Sequence, residues 1–187
     1  ALGLNIKVIQ TDGTQPIGHG IGPTLEARDV LSVLRGDPEA PQDLKERSLF
    51  LAGTIMESFG NVAPGHGRFE AQKILEDGRA LKKFIAICEA QGGMREITLA
   101  RYKHVITSLQ RGVVENIDNR LMARIAKLAG APDAPKAGVD LHVSLQKTVE
   151  KGQPLFTIYA ESPGELNYAL HYFYAHQDVI VIGDGPQ

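Results

Sequence analysis

Thr11-Asp12-Gly13-Thr14-Gln15-Pro16-Ile17-Gly18-His19-Gly20-Ile21-Gly22-Pro23 is the stretch that decides how this chain reads. Four glycines and two prolines fall within these thirteen residues. An apolar, strand-like run precedes them (Asn5-Ile6-Lys7-Val8-Ile9-Gln10), and a helix-like run follows from Thr24 to Arg35. A strand, a glycine-rich loop and a helix N-terminus in that order build a binding edge. Glycine admits φ > 0 and close backbone approach, and free N–H groups at a helix start favour an anion. The spacing matches neither familiar phosphate cradle. No Gly-Lys-Ser/Thr follows, which excludes a P-loop. Gly18, Gly20 and Gly22 give G-x-G-x-G, with Pro23 where a dinucleotide fingerprint needs its third glycine. From spacing alone, a tight strand-to-helix connection stands beside the binding reading.

At 187 residues the chain holds one good core or up to two small ones. The apolar fraction is ordinary at 43%, and a net charge of −2 gives no electrostatic case for nucleic acid or an anionic membrane. No apolar run is long enough for a transmembrane helix. A lone cysteine, Cys88, and no signal-peptide pattern point to a reducing cytoplasm. The chain begins Ala1-Leu2-Gly3, without Met, and reads there as the last turn of a helix closed by a C-cap glycine. The next strand then belongs to a sheet whose earlier strands lie upstream, so the expectation is the C-terminal piece of a longer protein.

Two parts are expected. Residues 1–93 read as a strand, the glycine-rich loop and four helices. Ala27, Val30, Leu31 and Leu34 recur at helical spacing on the first helix. Leu44, Ser48, Leu51, Ile55 and Phe59 line the second, with Asp43 as its N-cap. After a break at Gly60–Gly67, a third helix carries Ala71, Ile74 and Leu75 and ends at Gly78. The fourth places Leu81, Phe84, Ile85 and Cys88 on one stripe before Gly92-Gly93. Residues 94–187 read as a small α+β domain. Strands are expected at His104–Gln110 and Gly112–Ile117, and a helix at Asp118–Ala129 with Leu121, Ile125 and Leu128 inward. Val139, Leu141 and Val143 alternate with Asp140, His142 and Ser144, the period of a half-buried strand. A tight turn at Val149–Pro154 leads into Leu155–Ala160. A helix with Leu166, Ala169, Leu170 and Phe173 inward and a last strand at Val179–Ile182 complete the pattern. The expected fold class is therefore a helical remnant of an α/β domain joined to a small α+β domain with barrel-sandwich-like hairpins.

With these residues in view, the chain resembles the C-terminal half of the thymidine phosphorylase family, nearest to the subgroup shared with archaeal AMP phosphorylases. The resemblance rests on Thr11–Pro23 continuing as Thr24-Leu25-Glu26-Ala27-Arg28-Asp29-Val30-Leu31. It rests also on Ala90-Gln91-Gly92-Gly93, on Gly138-Val139-Asp140-Leu141-His142 and on Lys151-Gly152-Gln153-Pro154-Leu155-Phe156. It is colinear over essentially the whole chain. One departure is His19, where the subgroup usually has Arg. The resemblance implies a pentosyltransferase in which inorganic phosphate is co-substrate and attacks C1′ of a pyrimidine nucleoside. No other cofactor is required, and the intact enzyme is a homodimer without nucleic-acid or membrane partners. The family's phosphate loop and base-reading residues lie upstream and have no counterpart here, so this chain alone is expected to be inactive, with no catalytic residue of its own.

The resemblance also implies a potassium site beside the phosphate loop. Two backbone carbonyls and a helix carboxylate of that site fall at Ile17, Gly20 and Asp29, with the remaining ligands upstream; a hard cation wants such oxygens. The alternative for Asp29 is a solvated acid near a helix start. Thr14 and His19 are the candidate contacts to a polar substrate, against turn hydrogen bonds and a surface imidazole. The six histidines show no metal spacing, Glu26, Asp29, Glu46 and Glu57 form no inward pair, and Cys88 reads as a buried, inert thiol. A rival reading takes Thr148–Ile158 as the hairpin of a biotinyl or lipoyl carrier module. It lacks the Met-Lys-Met tip, and Lys151 matches the unmodified hairpin, so shared geometry explains the likeness. A non-catalytic accessory subunit is the other alternative.

Overall fold

The computed structural model describes residues 6–184, which fall into two units. The first comprises residues 6–13 and 32–94, the second residues 14–31 and 95–184. The glycine-rich loop thus groups with the C-terminal part and not with the helices that follow it. The expected helix end at Ala1–Gly3 lies outside the described residues.

The first unit contains α2 (Gln42–Ser58), α3 (Gly67–Glu76) and α4 (Arg79–Ala90), and it takes up the last turn of α1 (Pro23–Arg35). All four expected helices are present. Residues 6–10 are not a strand: Ile6 and Val8 are exposed, and no described strand pairs with them. An extended segment counts as a strand only when a neighbour takes up its N–H and C=O groups, and local composition cannot supply one. α2 starts one residue before Asp43, after Pro41. Asp43 sits in the first turn, where its carboxylate accepts from Leu44 N–H at 2.8 Å.

The packed face of α2 differs from the expected stripe. Leu49 and Gly53 are buried, together with Gly67 and Ala71 of α3, whereas Leu51, Ile55 and Phe59 are exposed, Phe59 by 78%. The reason is glycine. A Cβ on Gly53 would lie 2.5 Å from Arg68 N, so the two backbones meet directly where no side chain intervenes. No residue of α4 is fully buried, and Cys88 is half-buried rather than enclosed. Gly78, at φ 79°, makes the left-handed step between α3 and α4.

Glu57 ties the two helices. Its Oε1 accepts from Gly67 N–H at 2.8 Å and from Gly65 N–H at 3.1 Å, and these amides hold its carboxyl below the ordinary value. A carboxylate with a depressed folded pKa stabilises above its unfolded pKa and loses that contribution as pH falls through the folded value. The α2–α3 junction is therefore expected to loosen below about pH 4.5. Glu57→Gln should flatten that part of the pH profile, measured by hydrogen exchange at Gly65 and Gly67; an unchanged profile would rule out this role.

The second unit holds two antiparallel sheets. One runs β1 (Gly20–Ile21), β4 (Gly138–Leu141), β6 (Pro154–Ala160), β2 (Tyr102–Thr107). The other runs β5 (Thr148–Val149), β3 (Gly112–Ile117), β7 (Ile180–Gly183). With α5 (Asn119–Leu128) and α6 (Pro163–Ala175), they enclose one core that includes Val139, Phe156, Ile158, Met122 and Ile125. The α+β expectation for this region holds. α5 is capped by Asp118, whose carboxylate accepts from Arg120 and Leu121 N–H groups. It buries Met122, Ile125 and Ala126, leaving Leu121 and Leu128 at the margin. α6 opens with Ser162 as its N-cap, Oγ accepting from Glu165 N–H and donating to Glu165 Oε2.

The turn at residues 150–153 is not the hairpin expected. It joins β5 of one sheet to β6 of the other, and Gly152 N–H donates to Ser108 O at 2.8 Å. β2 ends at Thr107 because Ser108 Oγ turns the chain by donating to Gln110 O. β4 is not half-buried: all four of its residues are buried, Asp140 included, and it stops at Leu141. Among the described residues no helix is long and apolar enough to cross a membrane.

Candidate functional site

The glycine-rich loop is built by its pairing with β4. Gly20 lies opposite Asp140 and Ile21 opposite Val139, while Leu141 N–H donates to His19 O at 2.8 Å. The glycines serve this close approach. Gly22, at φ 133°, has no room for a Cβ against the Ala137 carbonyl, and a Cβ on Gly20 would lie 2.6 Å from Leu25. β4 is thus covered on one edge by the loop and on the other by β6, which explains its burial.

The amide donors of the loop point into the protein. His19 N–H and Gly20 N–H both donate to Asp29 Oδ2, at 2.6 and 2.7 Å. Gly22 N–H donates to Glu26 Oε1 at 3.0 Å, and Thr24 N–H to Pro135 O at 3.0 Å. Asp29 and Glu26 stand where an anion would sit in a phosphate cradle. The expectation that these amides await an external anion is overturned: carboxylates of the following helix hold those of His19, Gly20 and Gly22, and the Pro135 carbonyl holds that of Thr24.

Asp29 is correspondingly buried, at 3% exposure, and is not a solvated surface acid. Its second oxygen, Oδ1, accepts from Arg28 at 3.1 Å (Nη2) and 3.3 Å (Nε). The same guanidinium meets Asp140 with both prongs, Nη1 to Oδ2 at 2.8 Å and Nη2 to Oδ1 at 2.7 Å. This parallel two-bond geometry is the strong form of an arginine–carboxylate pair. It raises the Arg28 pKa still further above its ordinary value, the hydrogen bonds to Asp140 outweighing burial. Thr157, opposite Asp140 on β6, is buried with its Oγ1 2.7 Å from His142 Nε2. Burial and the Asp140 charge hold the neighbouring Tyr159 phenol above its usual range.

The residues read from sequence separate at this point. Thr14 is exposed, its carbonyl accepting from Gln15 Nε2. His19 is exposed as well, and its backbone is used in both directions, N–H to Asp29 and C=O from Leu141. Of the residues read as part of a potassium site, Gly20 and Asp29 are buried and Ile17 is half-buried. Gly20 meets Asp29 through its N–H, and both Asp29 oxygens accept from N–H donors. Among the described residues no group of three His, Cys, Asp or Glu side chains is arranged to hold a metal ion. Sequence reading missed Arg28 and Asp140 as partners, being 112 positions apart. The one signal was an acid between Val139 and Leu141 in a strand-like run, and alternation assigns it to the outer face.

The second unit matches a known domain. Residues 113–179 fit the family model described as the pyrimidine nucleoside phosphorylase C-terminal domain. The pyrimidine nucleoside phosphorylase match runs from β3 into the turn before β7, so it includes Asp140 but not Arg28 or the loop. Longer similarity covers those too. A Legionella pneumophila protein named "Putative thymidine phosphorylase" is 57% identical over 98% of this chain. A Polaromonas protein of the same name is 58% identical over 91%, and "Putative thymidine phosphorylase 1" of Acidovorax is 55% identical over 92%. The chain spans about a third of the length of these relatives, 35% in the first case.

Proposed function

We propose that this chain is the C-terminal part of a phosphorylase that cleaves a pyrimidine nucleoside, with phosphate attacking C1′, the glycosidic bond breaking, and the base leaving with the bonding electron pair to take up a proton. The observation that carries this reading is similarity above 50% identity across nearly the whole chain to proteins named for that activity. The chain's part is structural. Stabilising the leaving base and holding phosphate both require preorganised donors and cations at the reacting atoms. The loop amides are engaged by Asp29 and Glu26, and the Arg28 guanidinium by Asp29 and Asp140. This disposition supports a scaffold whose reacting groups come from elsewhere in the enzyme. A cytoplasmic homodimer, independent of nucleic acid and membrane, belongs to the same reading.

The test is phosphorolysis of thymidine, with free thymine followed by absorbance. The 187-residue chain should release no more thymine than a protein-free control. The product of its full reading frame should release thymine, dependent on phosphate. Thymine release by the short chain would overturn the scaffold role. No release by the longer one would move the substrate to uridine or a nucleoside 5′-monophosphate.

A further inference from the structure

A loop that carries a helix carboxylate against two of its amides needs a cation to make that burial tolerable. In this chain the requirement falls on Asp29, whose Oδ2 takes the His19 and Gly20 amides while Oδ1 faces Arg28. The guanidinium is held on the other side by the two prongs to Asp140. Asp29, Arg28 and Asp140 together carry one net negative charge, which the two loop amides, pointing at Asp29 Oδ2, offset in part. Every contact in the cluster lies within the second unit.

We propose that Arg28 is the resident cation of the glycine-rich loop: fixed by Asp140, its guanidinium occupies the place beside Asp29 that a monovalent metal ion would otherwise take, and so the loop is set without one. The proposal stands on this geometry and does not depend on which nucleoside the enzyme cleaves. It makes Arg28 a positioning residue acting through Asp29 on His19 and Gly20, with Asp140 as the anchor that keeps the guanidinium from swinging to solvent. Lysine cannot replace it, because an ammonium is a point charge and lacks the planar fork that spans two carboxylates.

The experiment is amide hydrogen exchange on the product of the full reading frame, in potassium chloride and in choline chloride at equal ionic strength. The His19 and Gly20 amides are compared with a core amide of β6. An ion bound only to the folded loop slows exchange of the amides it orders by a factor that grows with its concentration over its Kd. In the unmodified chain the loop amides should exchange at the same rate in the two salts, within about twofold. In Arg28→Lys they should speed up by about tenfold or more relative to the β6 amide, in both salts. A loss of overall stability alone would move loop and core amides together, so the ratio isolates positioning. Asp140→Asn, which keeps the shape but removes the anchoring charge, should shift the ratio the same way and serves if the lysine variant does not fold. Saturable slowing by potassium in the unmodified chain would overturn the proposal. An unchanged loop-to-core ratio in both variants would overturn it equally.

Discussion

Phe156→Ala is expected to remove about 4 kcal/mol from the stability of the second unit, the range for emptying a fully enclosed aromatic site. Phe156 is fully buried in the middle strand β6, opposite Leu141 on β4 and Ile106 on β2. It meets Phe173 of α6 edge-on, with ring centroids 5.4 Å apart. One side chain therefore joins three strands to a helix, and alanine would leave a void lined by rigid neighbours. Urea unfolding followed by far-ultraviolet circular dichroism checks this. Phe156→Leu, which keeps most of the volume, should cost about 1 kcal/mol. A loss under about 1 kcal/mol for the alanine variant would mean that the core closes over the gap.

Arg28→Met should cost about 3 kcal/mol, the lower part of the range for removing one partner of a buried ion pair. The magnitude follows from what stays behind. Asp29 and Asp140 are 3% and 8% exposed and would face each other without a cation. The figure is not set higher because 34% of the Arg28 side chain reaches solvent, and water would partly screen the charges. The same urea titration measures it. The double variant Arg28→Met with Asp140→Leu should recover part of the loss, since it removes the Asp140 charge and leaves only Asp29, whose Oδ2 keeps the His19 and Gly20 amides. If the two losses simply add, Arg28 and Asp140 are not coupled and the cluster is not the unit described above.

How far the sequence carries differs between helices and site. Helix positions come through because a 3.6-residue period and glycines at the ends, such as Gly78 and Gly92, are local signals. The face of α2 does not come through. Its apolar stripe through Leu51, Ile55 and Phe59 obeys the period, yet contact is made where Gly53 and Gly67 let two backbones touch. Periodicity marks apolar positions; it does not say which neighbour arrives. The same limit explains Asp140. Alternation assigns it outward, but β1 arrives on the adjacent edge and brings Arg28 with it.

The sequence by itself determined the glycine-rich loop, the six helices, the α+β character of the C-terminal part and the resemblance to nucleoside phosphorylases. All of these rest on short-range patterns or colinear motifs. Only the tertiary structure decided that residues 6–10 form no strand, that residues 14–31 group with the C-terminal unit, and that the His19, Gly20 and Gly22 amides face Asp29 and Glu26. Each depends on which hydrogen-bonding partner is delivered by a distant part of the chain. A backbone amide has the same donor strength wherever it stands, so its role is set by the acceptor that folding places in front of it.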